Sequence, residues 1–237
     1  MKIALVTGAN KGLGFETSKQ LAQKGHKVYM GCRNDERGEA AAKHLKSMQL
    51  DVEFIKLDVN NRSDIRSFMD KIKSRDEKLD LLVNNAGVFL ESSGPQDKSS
   101  SSVLKVDPVI ILKTIETNAM GPLTLIQSIV PHMIENDYGR IINISSGMGQ
   151  LENMNGHWPG YRMSKCSLNA LTKILSDEVA DHNIYINSVC PGWVRTDMGG
   201  NSASLSVEQG VESIVWLATC DDSPKGKFIS NKKEINW

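Results

Sequence analysis

Thr7-Gly8-Ala9-Asn10-Lys11-Gly12-Leu13-Gly14 follows directly on a short apolar run, Ile3 to Val6, and opens a helical pattern that continues to Lys24 and stops at Gly25. The order is strand, glycine turn, helix. Glycine accepts backbone angles closed to other residues and lets a ligand approach the main chain. The helix start beyond it presents unpaired N–H groups and the positive end of a dipole. A turn placed this way reads as a cradle for a pyrophosphate; the competing reading is a purely structural glycine turn.

Strand candidates at residues 3–7, 28–32, 52–59, 79–84, 140–145, 184–190 and 227–230 alternate with helical patterns around this turn. The alternation predicts an α/β fold of the doubly wound Rossmann type, a parallel sheet of about seven strands between two helical layers. Ile65, Phe68, Met69 and Ile72 give the stripe of one helix, and Ser206 followed by Gln209 reads as the capping box of another. A serine-rich stretch, residues 92–102, reads as a mobile surface loop inside the domain. At 237 residues, 40% of them hydrophobic, the chain suits one domain with a substantial core.

Lysine plus arginine (28) equal aspartate plus glutamate (28), so no basic field points to nucleic acid or an anionic membrane. The first apolar run is too short for a secretory signal or a spanning helix, which leads to the expectation of a soluble, cytoplasmic protein. Cys32, Cys166, Cys190 and Cys220 lie far apart without CxxC spacing. They read as small buried hydrophobes, with neither a disulfide nor a metal expected.

Tyr161 and Lys165 stand four apart and share a helix face, where an ammonium should favour the phenolate. Ser145 and Ser146 end a strand, at the edge where open α/β sheets hold ligands. Pro122, four residues after Asn118, removes the N–H that the Asn118 carbonyl would accept, so that helix should kink or open. Where many folds place a carboxylate for ribose hydroxyls, the second strand ends in Cys32-Arg33-Asn34. Arg33, with Lys11, could instead pair a 2′-phosphate, although Asp35 stands nearby.

Taken together, these motifs resemble the short-chain dehydrogenase/reductase family over nearly the whole chain. The resemblance rests on Gly8, Gly12 and Gly14, Asn84-Asn85-Ala86-Gly87, Asn118, Ser146 with Tyr161-Arg162-Met163-Ser164-Lys165, and Pro191-Gly192 followed by Thr196. The closing segment, including Trp193-Val194-Arg195-Thr196-Asp197-Met198 and Trp237, looks most like the family's carbonyl reductases.

The resemblance implies a single NAD(P)-binding domain spanning residues 1–237, with NADP(H) as cofactor and a catalytic set of Asn118, Ser146, Tyr161 and Lys165. It selects Ser146 over Ser145 as the residue that holds a substrate carbonyl oxygen, Tyr161 as the proton donor, and a water on the Asn118 carbonyl as a link from Lys165 to solvent. It places Gly8, Asn10, Lys11, Gly12, Leu13, Gly14 and Arg33 on the cofactor phosphates. Asp58 and Val59 would meet the adenine, Asn85, Ala86 and Gly87 the adenosine half, and Pro191, Gly192, Val194 and Thr196 the nicotinamide carboxamide.

Met148, Leu151, Met154, Trp158, Trp193 and Met198 suggest a hydrophobic substrate pocket, hence an aldehyde, a ketone or the matching alcohol. The leading expectation is an NADPH-dependent carbonyl reductase; the alternatives are an alcohol or hydroxysteroid dehydrogenase working in oxidation and a dinucleotide-sensing binding protein. Monomeric carbonyl reductases carry a long insertion between the catalytic serine and tyrosine, and only residues 147–160 stand here. Apolar residues on more than one face of the helices near 110–134 and 161–180 therefore predict a homodimer or homotetramer.

Overall fold

Residues 1–91 and 101–237 are described by the structure, a computed structural model. All five residues of β1 (Ile3–Thr7) are buried, because alternate side chains serve different cores. Ala4 and Val6 join Leu21 of α1 (Gly12–Gln23), Leu45 of α2 (Asp35–Ser47) and Val211 and Ile214 of α7 (Val207–Thr219). Ile3 and Leu5 face the other way, with Ile65, Phe68 and Ile72 of α3 (Arg62–Ser74), Leu125 and Ile129 of α5 (Gly121–Glu135) and Leu175 of α6 (Pro159–Glu178). This makes three layers, with the sheet in the middle.

The remaining strands are β2 (Lys27–Cys32), β3 (Val52–Lys56), β4 (Leu79–Asn84), β5 (Gly139–Ile144), β6 (Ile184–Val189), β7 (Lys227–Ser230) and β8 (Lys233–Ile235). Their order is β3-β2-β1-β4-β5-β6-β7-β8, with every pairing parallel except the last. The chain leaves β1 toward one edge and returns at β4 on its other side, so the β1/β4 seam is the topological switch point.

Two expectations need correcting. The sheet has eight strands where about seven were expected, because Asn231 and Lys232, both at positive φ, form a two-residue turn that folds β8 back on β7. The strand expected over 52–59 ends at Lys56. Asp58 instead accepts from Asn60 N at 3.0 Å, and its carbonyl accepts from Asn61 N at 2.9 Å, a turn that hands the chain to the Asn61 cap of α3. The expected loop at residues 92–102 lies outside the described residues up to 100.

The break expected at Pro122 is present in a definite form. α4 (Pro108–Ile115) passes through one π turn, Glu116–Met120, where Gly121 N bonds Glu116 O five residues back, before α5 resumes. The run Pro108–Glu135 is long and apolar enough by composition to cross a membrane. One side of it, however, places Leu125, Ile126, Ile129, Val130 and Met133 in the core.

Candidate active site

The glycine turn is fixed by what it touches. A side chain at Gly14 would collide with the Gly8 carbonyl and the Asn85 amide, and one at Gly8, whose φ is +64°, would reach the Ala86 backbone at 3.0 Å. Asn85 Nδ2 donates to the carbonyls of Thr7 (2.8 Å) and Gly8 (3.2 Å), while Thr7 Oγ1 accepts from the amides of Asn85 and Ala86 at 3.0 Å each. The ends of β1 and β4 are thus tied together and leave a concave main-chain surface at the start of α1. A bare backbone cradle at a helix N-terminus fits a dinucleotide pyrophosphate.

Beside the turn runs a groove lined by Asn10, Lys11, Phe15, Arg37, Ala40, Ala41, His44 and Asp197. Lys11 pairs with Asp197 across its mouth, and the carboxyl of Asp197 is held below its usual range by that lysine. Arg33 is exposed at the end of β2, immediately before Asn34, whose side chain caps α2 by accepting from Arg37 N at 2.9 Å. Asp35, the residue that argued against a phosphate site, is paired with Lys56 at 2.9 Å. Arg37 was not singled out from sequence, although its place three residues after the capping asparagine puts it on the first turn of α2 beside the groove.

The second half of the site lies at the ends of β4, β5 and β6. Asn84 Nδ2 bonds Asn143 Oδ1 across the strands at 2.9 Å, and Asn143 Nδ2 continues to Thr172 Oγ1 on α6 at 2.9 Å. Strand alternation separates the two serines: Ser145 is buried with its hydroxyl toward the Lys165 carbonyl, whereas Ser146 caps a short 3-10 turn, accepting from Met148 N at 3.1 Å. Lys165 is buried on α6, and its Nζ donates to the Ile144 carbonyl at 2.7 Å and lies 5.5 Å from the centre of the Tyr161 ring. The Asn118 side chain bridges two elements, accepting from Val88 N at 2.7 Å and donating to Val88 O at 2.9 Å and Ser164 Oγ at 3.0 Å.

Burial dominates the electrostatics here. The phenol of Tyr161 is pushed up to about 12, chiefly by desolvation and then by Cys190, with a hydrogen bond from Ser146 partly offsetting the rise. Desolvation also lowers Lys165 to about 8. The expectation that the ammonium would draw the phenol down is therefore reversed. Tyr161 keeps its proton at neutral pH, and Lys165, although lowered, is still mostly an ammonium there.

The remaining residues singled out from sequence are placed as follows. Thr196 lies against the glycine turn, since a side chain at Gly12 would meet it at 3.4 Å, and Val194 is buried and bridged to Leu205. Pro191 and Gly192, at φ +80°, make the turn that precedes them. Trp158 is buried at the start of α6, with the Arg162 guanidinium 5.9 Å over its ring, while Leu151 is exposed. Only Cys32 is buried as expected; Cys166, Cys190 and Cys220 are partly exposed, and Cys190 Sγ accepts from Gly147 N at 3.2 Å beside the site. Phe89, not anticipated, packs on Tyr161 with ring centres 4.7 Å apart.

A glycine cradle at the switch point, with Ser146 after the end of β5 and Tyr161 and the buried Lys165 on α6, defines a doubly wound dinucleotide-type fold. Residues 2–205 match the model of the short chain dehydrogenase family, and the chain belongs to that family. It is 31% identical to a (+)-neomenthol dehydrogenase of Arabidopsis thaliana, covering 98% of this chain and 97% of the relative. It is 30% identical to Carbonyl reductase [NADPH] 1 of Bos taurus, with 99% and 98% covered. These alignments run over 289 and 282 positions, longer than the 237 residues of this chain, so both relatives carry insertions that it lacks. Among solved structures, an NADPH-bound carbonyl reductase from chicken fatty liver superposes with a TM-score of 0.86 at 26% identity, each chain covered completely. Carbonyl reductase Sniffer of D. melanogaster gives 0.86 at 28% identity, with 100% of this chain and 99% of that one covered.

Proposed function

We propose that the 237 residues act as one cytoplasmic NADP(H)-dependent oxidoreductase that reduces the carbonyl of a hydrophobic aldehyde or ketone to the alcohol. The observation that carries this reading is that the Ser146 hydroxyl bonds the protonated Tyr161 phenol while Lys165 Nζ lies 5.5 Å from the centre of that ring and 3.8 Å from where a Cβ on Gly87 would stand. NADPH in the names of the bovine and chicken relatives supports the choice of nucleotide. So do Lys11 and Arg37 in the groove beside the cradle and the exposed Arg33 just after β2, three cations suited to a 2′-phosphate. Gly8, Asn10, Gly12, Leu13 and Gly14 would hold the pyrophosphate, Asp58, Val59, Asn85, Ala86 and Gly87 the adenosine half, and Pro191, Gly192, Val194 and Thr196 the carboxamide.

Bound NADPH supplies the hydride. Ser146 holds the carbonyl oxygen by a hydrogen bond that strengthens as negative charge gathers there, and Tyr161 gives that oxygen its proton. Lys165, next to the phenol ring, then offsets the charge left on the tyrosine. Asn118 fixes the loop after β4 against α6 and, through a water on its carbonyl, would link Lys165 to solvent so that Tyr161 regains its proton. The protonated phenol is the form that a proton donor needs in the reduction direction. The test is loss of NADPH absorbance against a panel of hydrophobic aldehydes and ketones. Turnover is expected, and tight NADPH binding without turnover on any member would favour a nucleotide sensor.

Assembly as a homodimer or homotetramer is part of the proposal. The exposed apolar residues on α4 and the π turn are Val109, Leu112 and Met120, with Met163 and Ile174 on α6. Leu125, Ile126, Ile129 and Val130, within the apolar 110–134 stretch, are instead committed to the core. Light scattering at micromolar concentration is expected to give a multiple of the 26.1 kDa chain mass, and a monomer would refute the assembly.

A further inference from the structure

α6 carries Tyr161 on its first turn, yet its own N-terminus has no side-chain cap. The cap position is Trp158, in the left-handed region at φ 55° and without a capping hydrogen bond, after His157 at φ 70°. Every orphan N–H group of this turn finds an acceptor. Pro159 has none, and Arg162 N bonds the Trp158 carbonyl at 3.0 Å. That leaves Gly160 and Tyr161, and both donate to one remote carboxylate: Gly160 N to Glu91 Oε1 and Tyr161 N to Glu91 Oε2, each at 2.7 Å.

Glu91 is 6% exposed, and a buried carboxylate is costly unless its lone pairs and charge are met. Here two amides, the positive end of a 20-residue helix and the nearby Arg162 guanidinium meet them. Arg162 is itself fixed, its Nε donating to the His157 carbonyl at 2.9 Å and its Nη2 to Asn155 Oδ1. The absence of a side chain at position 160 belongs to the same arrangement, since a Cβ there would stand 3.2 Å from the Glu91 carboxyl carbon and 3.0 Å from Ile111 Cα.

We infer that Glu91 is a positioning residue: its carboxylate, carried on the segment after β4, replaces the missing helix cap and fixes the backbone of Tyr161, so that the phenol is aimed by the same strand that bears the Asn84-to-Gly87 cofactor motif. This rests on Tyr161 being the proton donor. Phe89, two residues earlier on that segment, packs on the Tyr161 ring, so backbone and ring are held from one side.

The test uses Glu91→Gln, nearly isosteric and unable to accept from both amides, and Glu91→Ala, both in the full chain with NADPH and a reactive aldehyde. Turnover is expressed per NADPH-binding site, which removes the contribution of unfolded protein. Glu91→Gln is expected to lower kcat about tenfold, the loss from misplacing a general acid that supplies ~10²–10⁴, with NADPH affinity and substrate KM unchanged. Added formate should restore part of the kcat of Glu91→Ala, and would do nothing for a merely destabilised fold. Parental kcat per site in Glu91→Gln, alongside lost turnover in Tyr161→Phe, would overturn the role of Glu91 alone. Parental turnover in Tyr161→Phe would remove the acid itself and this inference with it.

Discussion

The two halves of the site occupy one edge of one sheet and are built by opposite means. On the β1–β3 side, ligand binding depends on side chains that are missing: glycines at 8, 12 and 14, with charges at Lys11, Arg33 and Arg37 standing in or beside solvent. On the β5–β6 side it depends on polar side chains taken out of water, with Lys165 buried and Tyr161 partly so. Bare backbone and exposed charge tolerate adjustment of their surroundings and respond to salt. Buried polar groups hold their geometry only while every partner is present. The difference suggests that cofactor binding and proton transfer can be broken separately.

The largest expected effect is on the cradle. Gly14→Val places a branched side chain against the Gly8 carbonyl and the Asn85 amide, and fluorescence titration should find no NADPH binding in the accessible range. Retained affinity would mean that the nucleotide lies elsewhere. Lys165→Met should lower kcat by about 10² or more while leaving the fold intact, since general acid–base groups contribute on that scale.

The same substitution sharpens the comparison through pH. Between pH ~8 and ~10.5 the folded chain has released the Lys165 proton that the unfolded chain still holds, so folding stability gains as pH rises through that window. For Tyr161 the sign is opposite: its raised value makes stability fall above pH ~10, where the unfolded phenol ionises first. Thermal unfolding of Lys165→Met should lack the rise between pH 8 and 10 and give a higher Tm near pH 7 than the parent. A parental pH profile would show that the ammonium is solvated.

On the exposed side, effects shrink. Arg37→Ala should lower the preference for NADPH over NADH by about tenfold, the scale of one charge-assisted phosphate contact. Arg33→Asp should lower it as well, and unchanged ratios of kcat/KM in both would leave the phosphate to Lys11. Asp197→Asn, which frees Lys11 from an exposed pair, should change NADPH affinity by less than about threefold, because exposed ion pairs are worth 0–1 kcal/mol. A larger change would mean that the pair gates the groove.

What was legible in the sequence follows the same division. The glycine turn and the Tyr161/Lys165 pair are contiguous or periodic, so spacing drew notice to them, with Ser146 and the family resemblance giving the pair its role, and Pro122 announced a break in its helix by removing a donor. The fold class was legible for the same reason, except for β8, whose three residues have no period to read. Arg37 escaped because its place in the groove depends on how α2 is capped. Glu91 escaped because its partners lie 69 and 70 residues away, beyond any local pattern. The direction of the Tyr161 shift was misread because burial, which outweighs the neighbouring lysine, cannot be seen in a spacing of four.

The central claim is that binding and proton donation are separable, with the latter resting on one hydroxyl. Tyr161→Phe followed in a single turnover with saturating NADPH and a hydrophobic aldehyde tests it directly. Parental NADPH affinity is expected, with the rate of NADPH loss reduced by about 10²-fold or more. NADPH loss at the parental rate would contradict it.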